Sequence, residues 1–292
     1  MPSQMHHVDG NDGAAISRRE FFHKGAVLTG SLAGGTILLN TVGSNRVYAA
    51  QVSPDDPGLV SAEVKFNSSD GTPIAGYLTR PKGDGSKPAV VVIHENRGLN
   101  DHIRDVARRL AQAGFVALAP DLLSRQGGTA SFPDSEAAIA GLRKLTEDNV
   151  TQDLTGAINY LKGQSYVRAN RIGVTGFCWG GANTLLIATR NKDVAAAVVY
   201  YGRPPKNLDN VKNITGPVYG HYGEKDDPIT SQVPQLAEAM KKHGKSFEYK
   251  VYPDAPHAFN NDTNPQRYQP QAAKEAWVKT LEFFKKHLQD EV

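Results

Sequence analysis

Gly176-Phe177-Cys178-Trp179-Gly180-Gly181 sets the single cysteine of the chain between glycines, after a β-branched run and ahead of a helix-forming stretch. A Gly-x-Cys-x-Gly sequence between a strand and a helix is the pattern of a nucleophile elbow, with Cys in place of Ser. The glycines have a physical reason: the turn is too sharp for side chains at the flanking positions, and its central residue is held in strained backbone geometry. That geometry pushes the thiol into the cleft at the carboxyl edge of a sheet. The N-terminus of the following helix favours a thiolate there, and the Trp179 N–H is placed to serve as an oxyanion donor. The competing reading is a buried structural cysteine, the commoner fate of a lone one.

The partners such a thiol needs follow in the order nucleophile, acid, histidine. Pro217–Ile229 reads as a strand ending in an acidic turn, with Asp226 as the orienting carboxylate and Asp227 as the runner-up for the same role. A turn or helix-capping Asp is the plainer reading of either. His257 stands in Pro256-His257-Ala258-Phe259, just past the last strand and ahead of the C-terminal helix. Its plainer reading is a solvated loop histidine, and its place after the acid favours the catalytic one. The expected chemistry is attack by Cys178 on a carbonyl carbon to give a thioester, with His257 as base and then acid, its tautomer set by Asp226. No cofactor is required, and no His/Cys/Asp spacing suggests a metal site.

These residues need a scaffold that brings strand ends together. Short β-branched runs occur at 63–66, 74–79, 89–94, 115–119, 171–175, 195–200, 217–221 and 247–252. Helical patterns occupy 101–113, 135–145, 149–161, 180–189, 233–243 and 269–287. Two opening strands followed by strand–helix repeats predict an α/β fold of the α/β-hydrolase type: a mostly parallel sheet of about eight strands, an antiparallel start, and helices on both faces. Ala89-Val90-Val91-Val92-Ile93 is apolar at successive positions, as a strand covered on both faces requires. One domain is expected over 58–292, preceded by a Pro/Asp-rich linker at 50–57. The Gly/Ser/Arg-containing loop 122–133 is expected to help wall the site.

Composition narrows the partners. The 292 residues carry 33 Lys+Arg against 30 Asp+Glu, a formal net charge of +3 without a basic cluster, so no nucleic-acid partner is expected. One Cys excludes an intramolecular disulfide framework and a multi-Cys zinc site. The first 49 residues read as an export signal. Ser17-Arg18-Arg19-Glu20-Phe21-Phe22-His23-Lys24 resembles a twin-arginine (Tat) motif, an uncharged small and apolar run follows from Gly25 to Leu39, and Val47-Tyr48-Ala49-Ala50 fits a cleavage site. The apolar run is shorter than the ~20 residues of a membrane span, so no stable span is expected after cleavage. An uncleaved anchor and an ordinary amphipathic helix are the competing readings. The expected partner of this segment is the Tat export machinery, and the expected location is the bacterial periplasm or exterior.

With these residues in place, the chain resembles the dienelactone hydrolase (carboxymethylenebutenolidase) family from about Ile74 to Leu288. Four segments carry the likeness: Ile93–Gly98, Ala119–Gln126, Gly176–Gly181 and Tyr252–Phe259 with Asn261-Asp262-Thr263. The resemblance implies that Glu95 is the family's buried glutamate, which contacts the resting thiol and helps form the thiolate. Pairing with Arg97 or Arg125 is the other reading of Glu95. It also implies that the Asn96 N–H is the second oxyanion donor beside Trp179, and that Arg125 binds the carboxylate of a lactone substrate. The family's second carboxylate-binding arginine falls at Asn261 here, and Arg203, just past another strand end, is the candidate replacement beside a plain solvated-loop reading.

The resulting expectation is a Cys-dependent hydrolase of a small carboxylic ester or lactone. Its alternatives are a hydrolase of another acyl compound such as a thioester, a hydrolase-fold binding module without turnover, and a redox-sensing thiol, which without a resolving Cys would work through sulfenic acid or an intermolecular disulfide.

Overall fold

A run that is apolar at every position must bury both faces of its strand. Residues 89–93 do so in β3 (Lys87–Ile93), where all five are fully buried. Alternation along the strand divides them between two cores: Val91 and Ile93 enter one, Val90 and Val92 the other. This computed structural model describes residues 51–289, so the segment read as an export signal lies outside the described residues.

The remaining strands are β1 (Leu59–Asn67), β2 (Pro73–Pro81), β4 (Val116–Pro120), β5 (Val167–Phe177), β6 (Ala196–Tyr200), β7 (Val218–Gly223) and β8 (Phe247–Tyr252). They form one sheet in the order β1-β2-β4-β3-β5-β6-β7-β8. β2 pairs antiparallel with both β1 and β4, and every pairing from β4 through β8 is parallel. The predicted mostly parallel sheet with an antiparallel start is therefore observed. β5 starts at Val167 rather than at Arg171, because Val167 pairs with Lys87 across an irregular register before regular pairing resumes at Ala89–Ile172.

Helices cover both faces. α1 (Asp101–Gln112) and α7 (Pro270–Leu288) pack Ile103, Val106, Leu110, Phe283 and Phe284 against the face that holds Val90. α3 (Glu147–Lys162), α4 (Trp179–Arg190) and α6 (Val233–Lys242) cover the other with Leu154, Ile158, Leu185, Leu236 and Met240. Two shorter helices matter for the site: α2 (Ser135–Leu142), which ends before the predicted Leu145, and α5 (Asp227–Thr230). Starts follow capping chemistry. Asn100 Oδ1 accepts from the Ile103 N–H, Asp134 accepts from the Ala137 N–H, and Thr146 with Asn149 forms a capping box. No described helix is long and apolar enough to cross a membrane.

The lead before β1, expected as a linker, is docked instead. Val52 is buried with Leu59 and Ala111, its N–H donates to Asp105 Oδ1 at 2.8 Å, and its carbonyl accepts from Arg108 Nε at 2.8 Å. The Pro/Asp composition hid a single apolar anchor whose partners lie on α1.

Candidate active site

The site grows from the end of β5. Cys178 follows Phe177 with φ 57 and ψ −114, a conformation that L side chains rarely adopt, and α4 starts at the next residue. Close backbone packing explains the glycines around it. A Cβ on Gly176 would stand 2.2 Å from the Gly180 carbonyl oxygen, and one on Gly180 would stand 2.4 Å from the Ile93 carbonyl oxygen. The end of β3 and the start of α4 are in backbone contact, which holds the thiol beside the residues that follow β3. Gly180→Ala is accordingly expected to lower stability by about 1–3 kcal/mol through overpacking, read as a lower denaturation midpoint at an unchanged slope.

β7 and β8 bring the other two residues. Asp226 directly precedes α5 and is buried, and its Oδ2 lies 2.6 Å from His257 Nδ1. Cys178 is near enough to His257 to favour a proton on its ring. Burial works against a charge on His257, but Asp226 and Cys178 outweigh it and hold the imidazole pKa up at about 10. Asp227, the runner-up, is exposed at the start of α5.

Cys178 opens on a cavity of about 360 Å³, which its neighbours Trp179 and Asn96 also line. Trp179 is the first residue of α4, where backbone N–H groups have no intrahelical acceptor. Ile139, Leu142 and Ile229 supply apolar wall, and Arg143 and Arg203 supply charge. Both arginines are exposed, and neither guanidinium has an acceptor among the described residues. The loop 122–133 does not itself line this cavity. Phe132 packs against Leu123, Ala138 and Leu142, so the loop braces α2, and α2 with the following Arg143 forms the wall.

Glu95 is buried, and its Oε2 accepts from Asn261 Nδ2 at 2.7 Å. Its Oε1 has no hydrogen-bond partner, and neither Arg97 nor Arg125 pairs with it among the described residues. Asn261 thus touches the glutamate from the position where the family pattern has arginine. Arg125 is placed elsewhere: it binds the buried Asp153 at 2.7 Å, Asp70 at 2.7 Å, Thr72 at 3.1 Å and Ser68 at 3.1 Å. Its donors are engaged in joining the β1–β2 turn to α3, and it does not line the Cys178 cavity.

Two residues that the sequence did not single out belong to the surroundings. Tyr201 has a left-handed φ of 38, and its buried hydroxyl has no hydrogen-bond partner. Its ring meets that of His257 edge-on at 5.1 Å. Burial, with the Glu95 and Cys178 charges adding, pushes its phenol well above the ordinary value. His94 is buried between the Glu95 carbonyl at 2.7 Å and the Leu122 N–H at 3.2 Å, and it stacks on Trp179. Those bonds require a neutral ring, and burial lowers its pKa accordingly. The doublet Tyr200-Tyr201 at a strand end was a readable signal for the first. For His94 the signal was its position at the end of the central strand. Among the described residues, no group of three or more His, Cys, Asp or Glu is arranged to hold a metal ion.

A sharp strand–helix elbow at the carboxyl edge of such a sheet defines an α/β hydrolase, and comparison with known proteins narrows the class to enzymes that hydrolyse esters or lactones. The chain belongs to the dienelactone hydrolase family, which matches residues 74–288. It is 34% identical to a protein of Methylorubrum extorquens that carries the name carboxymethylenebutenolidase, over 94% of this chain and 97% of the relative. A Bradyrhizobium protein named as a 2-oxo-3-(5-oxofuran-2-ylidene)propanoate lactonase is 36% identical over 73% of this chain and 89% of its own length. A crystal structure described as a dienelactone hydrolase from Klebsiella pneumoniae superposes with a TM-score of 0.71 at 34% identity, covering 78% of this chain and 99% of that one.

Proposed function

We propose that this hydrolase opens a small unsaturated lactone or ester through Cys178, His257 and Asp226, by way of a thioester acyl-enzyme. The observation that carries the reading is the line from Asp226 through His257 to a half-buried Cys178 held at φ 57 beside a cavity of drug-fragment size. An imidazolium backed by a carboxylate is the partner a thiolate nucleophile needs. Attack on the carbonyl carbon forms the C–S bond, the oxyanion is received by the Trp179 and Asn96 N–H groups, and His257 gives its proton to the leaving alkoxide. Water, deprotonated by His257, then displaces the thiolate from the thioester. Glu95, fixed on one oxygen by Asn261, keeps its second oxygen for the thiol or its proton.

For the substrate's carboxylate, Arg203 is the proposed recognition group, with Arg143 facing the same cavity. The names of the relatives support an unsaturated lactone acid, while the same chemistry accepts a thioester. With a carboxylate-bearing dienelactone, Arg203→Ala is expected to raise KM roughly tenfold with kcat little changed, and to leave p-nitrophenyl acetate kinetics unaltered. Equal effects on both substrates would remove Arg203 from carboxylate recognition. Purified protein that hydrolyses p-nitrophenyl acetate and not a dienelactone would keep the chemistry and reject the lactone. Export by the Tat route through residues 1–49 is part of this proposal. Lysine at both Arg18 and Arg19 is expected to leave the enzyme in the cytoplasm, as cell fractionation reads.

A further inference from the structure

Between α1, α7 and the loop after His257 lies a second cavity, about 330 Å³, whose lining residues are all different from those beside Cys178. Arg109 and Asn260 line it, and they are 8% and 2% exposed. Nε and Nη2 of Arg109 and Nδ2 of Asn260 are buried donors with no hydrogen-bond partner among the described residues. Asp105 Oδ2 stands 3.2 Å from Arg109 Nε, close enough to offset charge but in a geometry that makes no hydrogen bond, and Asp105 is shared with Arg108 at 3.6 Å. Unmade hydrogen bonds to a buried guanidinium are costly, more so than for an orphaned neutral group. The family's reaction at Cys178 does not use these groups.

We infer that this cavity is a binding site for a small monocarboxylate with a flat apolar body. The donors are of the kind a carboxylate accepts, a planar guanidinium and a side-chain amide. The charge balance favours one negative charge over two: Arg108, Arg109 and Lys274 face Asp105 and Asp262, which leaves a single positive charge uncompensated. Asp262, hydrogen-bonded by His102 at 3.1 Å and by Gln51 at 2.6 Å, acts on Arg109 through its charge alone, so it offsets one positive charge without taking up the free Arg109 donors. Water in the cavity satisfies donors but leaves that charge in place. The walls suit a flat body. Trp277 lies with the Arg109 guanidinium 5.0 Å from its ring centroid, and Tyr268 lines the same space. Lys274 stands exposed at the cavity, without a partner among the described residues.

Calorimetric titration of the full chain with benzoate, acetate and inorganic phosphate tests this. Benzoate is expected to saturate one site and to bind more tightly than acetate or phosphate. Lys274→Glu, a change at an exposed position that leaves the core intact, is expected to weaken benzoate about tenfold or more. Asn260→Ser, which shortens the buried donor, is expected to weaken it in the same direction, with folding checked by circular dichroism. Arg203→Ala, on the Cys178 cavity, is expected to leave this benzoate affinity unchanged. The inference is overturned if benzoate shows no saturable binding, if Arg203→Ala abolishes the binding while Lys274→Glu keeps it, or if phosphate binds as tightly as benzoate.

Discussion

Cys178→Ala is expected to lower kcat for p-nitrophenyl acetate and for a dienelactone on the order of 10³-fold or more, with the fold unchanged. The side chain is half-buried and small, so its removal leaves little cavity, while the φ of 57 that strains it is no worse for alanine. What is lost is the nucleophile. Residual turnover would come from the N–H groups of Trp179 and Asn96 acting on water. The same variant has a second readout. The pKa of His257 stands at about 10 although burial alone would lower it, and Cys178 is one of the two groups that raise it. Cys178→Ala should therefore lower the His257 pKa in an NMR titration. A raised histidine pKa contributes stability in full below the ordinary value near 6.5, and loses it as pH rises through the folded value. The variant should lose that contribution at lower pH than the wild type. Unchanged turnover in a folded Cys178→Ala protein would move the chemistry to another residue or reduce the chain to a binding module.

Asp226→Asn is expected to cost roughly 10³–10⁴-fold in kcat, while Asp227→Asn should stay within about twofold of wild type. The two carboxylates are neighbours in sequence and differ in what they touch. Asp226 is buried and lies 2.6 Å from His257 Nδ1, whereas Asp227 is exposed on the first residue of α5. An amide at 226 keeps the shape but no longer stabilises the imidazolium, and it presents the wrong pattern of donor and acceptor to the ring. Both kcat values should be followed against pH with the simple ester. Equal losses in the two variants would show that the turn as a whole, and not the Asp226–His257 bond, matters.

Local signals made much of this legible in the chain. The elbow is contiguous, so glycine spacing alone marked Cys178, and the strand runs were visible because strands buried on both faces cannot hide polar residues. Asp226 and His257 were legible from order along the chain, since each follows a strand that ends at the same sheet edge. Contacts between distant segments were not. Arg125 sits in a segment that matches the family pattern, but its acceptors arrive from Asp70 and Asp153, far away in sequence. Arg143, at the C-cap of α2, lines the cavity together with Ile139 and Leu142 of that helix, a placement that depends on where α2 packs and not on its own sequence neighbours. Val52 was obscured by its Pro/Asp neighbours, and its burial depends on a carbonyl and an N–H that find Arg108 and Asp105.

The Arg125 cluster also bears on how the molecule opens. β1 is one of the two edge strands, and an edge hairpin ordinarily frays before the rest of a sheet. Here the turn that joins β1 to β2 gives Ser68, Asp70 and Thr72 to one guanidinium, whose other acceptor is the fully buried Asp153 on α3. Peeling that edge away strands a carboxylate inside the core. The hairpin and α3 are therefore expected to open as one cooperative unit, with amide exchange at the edge following that of a helix on the face of the sheet.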